Sequence, residues 1–418
     1  MSEEVTLFVH DLAAAVSPSG RGPMRGNDLG ELEIHAPASI AISGERVVSV
    51  GEPREVLRAH PPGPDCASID GRNRVALPGL VDCHTHACFL GSRADEFELR
   101  SRGAAYEEIQ ASGGGILSTV RATRAGSAED LETALTRHLD AMLRHGTTTA
   151  EVKSGYGLDH DTELAMLRAV RAVDERHPIH LLPTFLGAHT VPPEARDASE
   201  YVEFLVGEVL PEAAPLARAA DVFLERGSFE VPDARRYLLA AQEHGLDLRL
   251  HADQFSERGA IPLAVELGAR SVDHLENTTE ERVSLLGRSD VAAVLLPTCA
   301  LYLGLPSPPA RRLIEENAII ALATDLNPGS SYCSSLPIVM NLACTHLGLS
   351  PAQSLCAATA NPAYVLGLSS EVGRISPGYR ADVLVLDDPD WRILAYHLGG
   401  DHFAERIKSG RSLGTTGG

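Results

Sequence analysis

At 418 residues the chain has room for two or three domains of about 150 residues, although one eight-fold barrel of ~250 residues would absorb most of that length. With 44% hydrophobic and 22% charged residues it has the composition of a globular protein, which excludes collagen-like, coiled-coil and disordered classes. A formal net charge of −21 opposes any sequence-independent grip on nucleic-acid phosphates or anionic lipid, so neither nucleic acid nor membrane is expected as a partner, and an anionic substrate would need a local cation.

The N-terminus, MSEEVTLFVHDLAAAVS, is acidic and lacks the apolar run of a signal peptide; nothing downstream approaches the ~18 continuous apolar residues of a membrane span. The expected address is the cytoplasm. The first part of the chain carries short β-like runs over Glu4–Val9, Ser39–Ile42 and Arg46–Val50, separated by Gly, Pro and Asn turns and without a long helical period. Farther on, eight apolar runs alternate with amphipathic stretches, the pattern of parallel βα units. They predict strands over Leu77–Asp82, Thr147–Val152, His180–Phe185, Ala220–Leu224, Leu246–Leu250, Ser271–Asp273, Val291–Leu296 and Ala318–Thr324. Helices are predicted between most of them, among these Ala128–Arg144, Thr162–Arg176, Ala234–His244 and Ala260–Leu267. Gly373–Asp387 and Ala404–Arg411 return to the β style, and the tail SLGTTGG reads as frayed. The expected fold is α/β: a distorted (β/α)8 TIM barrel over 77–362, beside a small discontinuous β-sandwich domain built from both termini, 1–76 and 363–418. The seven cysteines are scattered without a CxxC pair and read as reduced thiols.

Barrel enzymes build their active sites at the C-terminal ends of the strands. The first predicted strand ends in His84-Thr85-His86, a spacing that puts both imidazoles on one side, able to hold one metal. The fifth ends in His251, the sixth in His274 and the eighth in Asp325, so a barrel would bring together groups far apart in sequence. Three nitrogens and one carboxylate form a typical catalytic ligand set with a position open for water. Water on such a metal is a nucleophile near pH 7, Asp325 can take its proton, and His274 can polarise or protonate the reacting group. Alternatively His274 makes a hydrogen bond that orients a ligand. His138, His145, His160, His177, His244, His346, His397 and His402 read as structural or surface residues.

PGLVDCHTH, the histidines ending the fifth and sixth strands and the aspartate ending the eighth resemble the amidohydrolase superfamily, whose members carry a composite β domain beside the barrel. The longer stretches FLGSRADEFELRSRGAAYEEI, GGGILSTVRATR, EVKSGYGL, PTFLGAHTVP, HADQF, VDHLEN and TDLNPGSS are similar to one branch of it, which acts in histidine degradation. The resemblance spans about Pro78 to Pro362. It implies hydrolytic opening of 4-imidazolone-5-propanoate to N-formimidoyl-L-glutamate, with His84, His86, His251 and Asp325 as metal ligands and His274 as a catalytic partner. It further implies that Arg93, Tyr106, Tyr156, His189, Asn327, Gly329 and Ser330 contact the substrate.

The residues themselves agree on charge: a propionate needs a cation, and Arg93 offers a bidentate clamp unless it forms a surface ion pair with Asp95 or Glu96. The loop Asn327-Pro328-Gly329-Ser330 could present backbone N–H groups to an anion or be an ordinary turn. Tyr106 and Tyr156, read alone, are boundary aromatics. Gln254 stands where some relatives have Glu; it cannot shuttle a proton but can hold a ring by hydrogen bonds. That shifts proton traffic to Asp325 and His274 and disfavours a deaminase of another heterocycle, which would release ammonia. Asp253 is the other nearby carboxylate. A second metal would need a bridging group; Lys153 and Glu225 are the candidates, and Lys153 falls on the wrong strand, so one metal is expected. Zinc and iron both suit the ligand set. Gly113–Gly115 reads as a mobile loop near the mouth, not a phosphate loop. A homodimer is the expected assembly, and a binding protein without turnover remains the reading from a different class.

Overall fold

The computed structural model describes residues 4–103 and 114–414. The N-terminal alternation becomes β1 (Leu7–Leu12), β2 (Ala14–Pro18), β3 (Leu32–His35), β4 (Ala38–Ser43), β5 (Arg46–Gly51), β6 (Ala67–Asp70) and β7 (Val75–Pro78). The barrel strands are β8 (Leu80–Asp82), β9 (Thr147–Lys153), β10 (His180–Ala188), β11 (Ala219–Leu224), β12 (Asp247–Ala252), β13 (Ser271–His274), β14 (Ala292–Leu295) and β15 (Ile319–Leu322); β16 (Val383–Leu386), β17 (Phe403–Lys408) and β18 (Arg411–Ser412) follow. One small sheet has the order β5-β4-β1-β6, and the other has the order β18-β17-β16-β7-β2-β3. The two chain ends therefore meet in the six-stranded sheet, where β16 runs antiparallel to β7 with Leu384 opposite Leu77. Val9, Ile40, Ile42, Ala76, Val383, Val385 and Ile407 share one buried apolar core contributed by both small sheets. Of the tail expected to fray from Ser412 on, Ser412 itself forms a two-residue strand with Arg411 and residues 415–418 lie outside the described part.

β8 to β15 pair in chain order, each parallel to the next. The helix Ala128–Arg144 has the bounds expected from its period: Leu131, Leu135, Leu139 and Met142 form its buried stripe. It begins at a capping box, in which Ser127 accepts from the Asp130 N–H and Asp130 accepts from the Ser127 N–H.

The expected first barrel strand, Leu77–Asp82, is in fact two strands in two sheets. Val75–Pro78 belongs to the six-stranded sheet and Leu80–Asp82 to the barrel. The break is at Gly79, where a Cβ would lie 2.2 Å from Thr148 Oγ1, so only glycine lets the chain pass between the layers. Both halves are fully buried, so the run reads as one apolar strand and its hydrophobic pattern hides the switch.

The barrel closes beyond the ends of its strands. Asp325 N–H donates to the His84 carbonyl (3.0 Å) and His86 N–H to the Leu326 carbonyl (2.9 Å). Behind this seam the Asp82 carboxyl accepts from Thr324 N (3.2 Å) and Thr324 Oγ1 (2.6 Å), and burial pushes its pKa up to about 7. The backbone bonds that close the cylinder thus belong to residues of the predicted metal motif. No helix among the described residues is long and apolar enough to cross a membrane. Asp82→Ala would leave both Thr324 donors unpartnered in the core, so a loss of roughly 2–3 kcal/mol is expected. It would be read as a lowered urea midpoint, with a smaller drop for Asp82→Asn, whose amide oxygen can still accept one bond.

Candidate functional site

At the C-terminal mouth of the barrel, His84 Nε2 and His86 Nε2 lie 3.5 and 3.6 Å from Asp325 Oδ1. His251 Nε2 lies 3.3 Å from His86 Nε2. Two of these imidazoles have their outer nitrogens committed: His84 Nδ1 is 2.5 Å from Asp273 Oδ2 and His251 Nδ1 is 3.1 Å from Asp221 Oδ1. A carboxylate accepts an N–H at that position, which leaves the Nε2 lone pairs turned inward, the arrangement metal-ligating histidines take. Facing lone pairs repel unless a cation lies between them. His84 Nε2 and Asp325 Oδ2 are buried and have no hydrogen-bond partner among the described residues, and this donor set fits a divalent ion. The donor atoms of His84, His86 and Asp325 lie within 4.8 Å of one another, as do those of His84, His251 and His274. Burial, with nearby cationic groups, holds His84 and His86 well below the usual imidazole range, so both are neutral and able to ligate.

His274 sits beside this cluster, its ring 5.3 Å from that of His251 and 5.7 Å from that of His84. Its Nδ1 is 3.5 Å from Glu276 Oε1. Burial opposes the imidazolium, but the carboxylates of Glu276, Asp325 and Asp273 outweigh it and raise the pKa of His274. Burial pushes Asp325 up to about 6. Several residues here hold left-handed backbone: His274 has φ 89°, Leu275 73°, Asp253 53° and Asp325 52°. Such conformations cost about 1–3 kcal/mol each and persist where surrounding contacts enforce them.

Around the mouth, Arg93 does pair with Glu96, at Nε–Oε2 2.8 Å and Nη2–Oε1 2.5 Å, but the pair is largely buried rather than a surface bridge. Glu96 also accepts from Arg100 Nη2 (3.0 Å) and Gly115 N–H (2.9 Å). One edge of the Arg93 guanidinium is thereby fixed, and Nη1 is turned to Gly329, where a Cβ would lie 1.9 Å from it. His189 stacks on His86 at 5.0 Å and is 5.4 Å from Tyr156. Burial and His251 push His189 down to about 3, so it is neutral and donates Nδ1–H to the Gly155 carbonyl (2.9 Å). The buried Tyr156 ring lies 5.9 Å from His86. Tyr106 lies outside the described residues, as does Gly113 of the glycine run.

The loop after the eighth strand takes the second of its two readings, a self-bonded turn. Asn327 Oδ1 accepts from Gly329 N–H (2.8 Å) and Ser330 N–H (2.7 Å), closing the loop on its own side chain. Gln254 donates from Nε2 to Cys299 Sγ (3.4 Å). Asp253 accepts from Thr278 Oγ1 (2.7 Å) and pins the loop after β13. Glu225 accepts from the N–H groups of Arg226, Phe255 and Ser256 and shapes the loop that carries Gln254. Lys153 is on the second barrel strand, as expected, with Nζ 2.7 Å from Asp221 Oδ2 and 2.8 Å from Glu151 Oε2.

Sequence reasoning missed Asp221, Asp273, Glu276 and Cys299 and placed the Arg93–Glu96 pair on the surface. A signal existed for the first two: a carboxylate inside an otherwise apolar barrel strand must face a partner in the interior. Cys299 had none; its thiol is placed among His274 and Asp325 only by the fold. All seven cysteines are free.

The amidohydrolase family model matches residues 75–411. A Rubrobacter xylanophilus protein named imidazolonepropionase is 74% identical over 408 residues, covering 98% of each chain. One of the same name from Symbiobacterium thermophilum is 46% identical, covering 98% of this chain and 97% of its own. Among solved structures, an adenosine deaminase from Xanthomonas campestris with bound zinc aligns with a TM-score of 0.74 at 18% identity, covering 98% of this chain and 93% of that one. At that identity the likeness concerns the fold. The chain belongs to the amidohydrolase family, as a metal-dependent hydrolase on a (β/α)8 barrel with added β sheets. Within that family it belongs to the imidazolonepropionases. Elemental analysis of the purified chain is expected to find a single divalent ion, lost in His84→Ala and in Asp325→Ala while circular dichroism stays unchanged.

Proposed function

We propose that this chain hydrolyses the ring amide of 4-imidazolone-5-propanoate to N-formimidoyl-L-glutamate, with His84, His86, His251 and Asp325 holding the metal. The observation that carries this reading is the donor cluster in which His84 Nε2 and Asp325 Oδ2 are buried and unpartnered, together with a largely buried arginine that Glu96 pre-orients. His84, His86, His251 and Asp325 would hold a divalent ion, which when bound would supply Lewis acidity and a water of lowered pKa. Asp325 takes the proton of the attacking water at its carboxylate. His274, whose protonated form Glu276 favours, donates to the ring nitrogen as the C–N bond breaks, after the water oxygen has bonded to the carbonyl carbon. Gln254 keeps the ring in place, its Nε2 anchored on Cys299. Arg93 takes the propionate, Tyr156 and His189 wall the pocket, and Tyr106, Asn327, Gly329 and Ser330 complete the substrate contacts. With the N–H groups of Gly329 and Ser330 occupied by Asn327, the charge of the propionate falls to Arg93.

The imidazole and carboxylate donors suit zinc and iron alike. We further propose a cytoplasmic homodimer, and a division of the chain into 1–76 with 363–418 and the catalytic 77–362, the crossing lying at Gly79. The second reading, a deaminase of another heterocycle, draws on the fold shared with deaminases but lacks a carboxylate at Gln254.

The deciding experiment follows freshly generated imidazolone propionate under anaerobic conditions, with metal content measured on the same sample. Loss of ring absorbance and appearance of formimidoylglutamate without ammonia support the reading; ammonia release, or turnover unchanged after the metal is stripped, overturns it. His274→Ala is expected to lower kcat by about 10²–10⁴-fold, the usual contribution of a positioned acid or base. Gly329→Ala, whose methyl would displace the Arg93 guanidinium, is expected to raise KM roughly tenfold or more through loss of a charged hydrogen bond, with kcat little changed.

A further inference from the structure

Beneath the inward-facing imidazoles the barrel interior contains a closed set of charges, all on strands and all essentially without exposure: Glu151, Lys153, Asp221, Arg249 and Asp273. Lys153 is at their centre. Its Nζ donates to Asp221 Oδ2 at 2.7 Å and to Glu151 Oε1 at 2.9 Å, and lies 4.0 Å from Asp273 Oδ2. Both oxygens of Asp221 lie 3.1 Å from His251 Nδ1, so the carboxylate that holds Lys153 also holds the imidazole, and Asp273 Oδ2 takes His84 Nδ1 at 2.5 Å. Glu151 is held in turn by Arg249 and by Thr184 Oγ1 at 2.5 Å.

We propose that Lys153 is a positioning residue for the metal: one buried ammonium sets, through Asp221 and Asp273, the orientation of the two imidazoles His251 and His84. The inference rests on the reading that these histidines hold the ion. Its physical basis is that two carboxylates this close together and fully buried repel each other, and neither can be held as an anion against its histidine without a neighbouring cation. Arg249 does not take the place of Lys153: its side-chain bonds go to Glu151 and to the carbonyls of Cys83 and Val365, and none reaches Asp221 or Asp273. Rotating Asp221 to release Lys153 would also break its bond to His251, so ammonium and imidazole are mechanically coupled. The four-carbon stem of lysine places a compact charge where a planar guanidinium would not fit between three carboxylates. The competing account, in which Lys153 only neutralises Glu151 for stability, makes no demand on metal affinity.

The test compares the full-length wild type with Lys153→Met, Asp221→Asn and the double variant, by Zn2+ titration of the metal-free proteins against a competing chelator, with folding checked by circular dichroism. Lys153→Met and Asp221→Asn are each expected to weaken Zn2+ binding by about 10–100-fold, as loss of a group behind a metal ligand does. The double variant is expected to fall well short of the product of the two losses. A folded Lys153→Met that binds Zn2+ as tightly as wild type overturns the proposal, and so do multiplicative losses in the double variant. Should Lys153→Met fail to fold, Asp221→Asn decides: it keeps the shape but loses the charge, and unchanged Zn2+ affinity there removes the route from Lys153 to His251. A wild type that binds no Zn2+ overturns the metal reading itself, and the inference with it.

Discussion

Closure of the barrel is what brings His84, His86 and Asp325 together. The last parallel pairing is not made between β15 and β8 but between the segments just past them, where Asp325 N–H meets the His84 carbonyl and His86 N–H the Leu326 carbonyl. Asp325 and the two histidines cannot be out of register with one another without opening the cylinder. Because a buried backbone group left unpaired costs free energy comparable to a lost hydrogen bond, the seam holds first and last strands together and fixes the ligand geometry as a consequence. The left-handed conformation of Asp325 is the local strain that this closure tolerates.

A second layer of constraint lies below the ligands. Histidine orientation is passed down through carboxylates to a lysine and an arginine, so the ligand geometry does not rest on side-chain rotamers alone. Burying so many charges is unfavourable unless each is matched, and their positions on four strands, β9, β11, β12 and β13, mean that matching requires those strands to be assembled in register. The same logic operates at the mouth. Glu96 gathers Arg93, Arg100 and the Gly115 N–H, so the Arg93 guanidinium is positioned by the fold itself. Against a chain whose net charge is −21, such a fixed local cation is what an anionic substrate requires.

How much was legible beforehand depended on range. The helix Ala128–Arg144 was readable to its ends because its stripe, its Ser127 cap and its buried face are all local. His84, His86, His251, His274 and Asp325 were readable because strand ends are marked by the change from apolar run to polar residue. Leu77–Asp82 was misread because two different buried strands are equally apolar, and the glycine that separates them is explained only by Thr148, distant in sequence. For the 327–330 loop the sequence left an anion-binding backbone and an ordinary turn open, and the bonds from the Gly329 and Ser330 N–H groups to Asn327 decide for the turn.

The amino-acid sequence by itself determined the alternation of strands and helices, the chemistry of the metal-facing set and, through its resemblance, the family. These follow from short-range periodicity and from residue types at strand ends, which do not require knowledge of what lies across the barrel. Tertiary structure alone decided that Asp273 stands behind His84 and Asp221 behind His251, that Cys299 meets Gln254, and that Arg93 is held by Glu96. Apart from that last pair, these partners come from different strands or their connecting loops, and which of them meet is set by the order and stagger of strands in the closed sheet. Periodicity along one strand carries no information about the stagger of its neighbour.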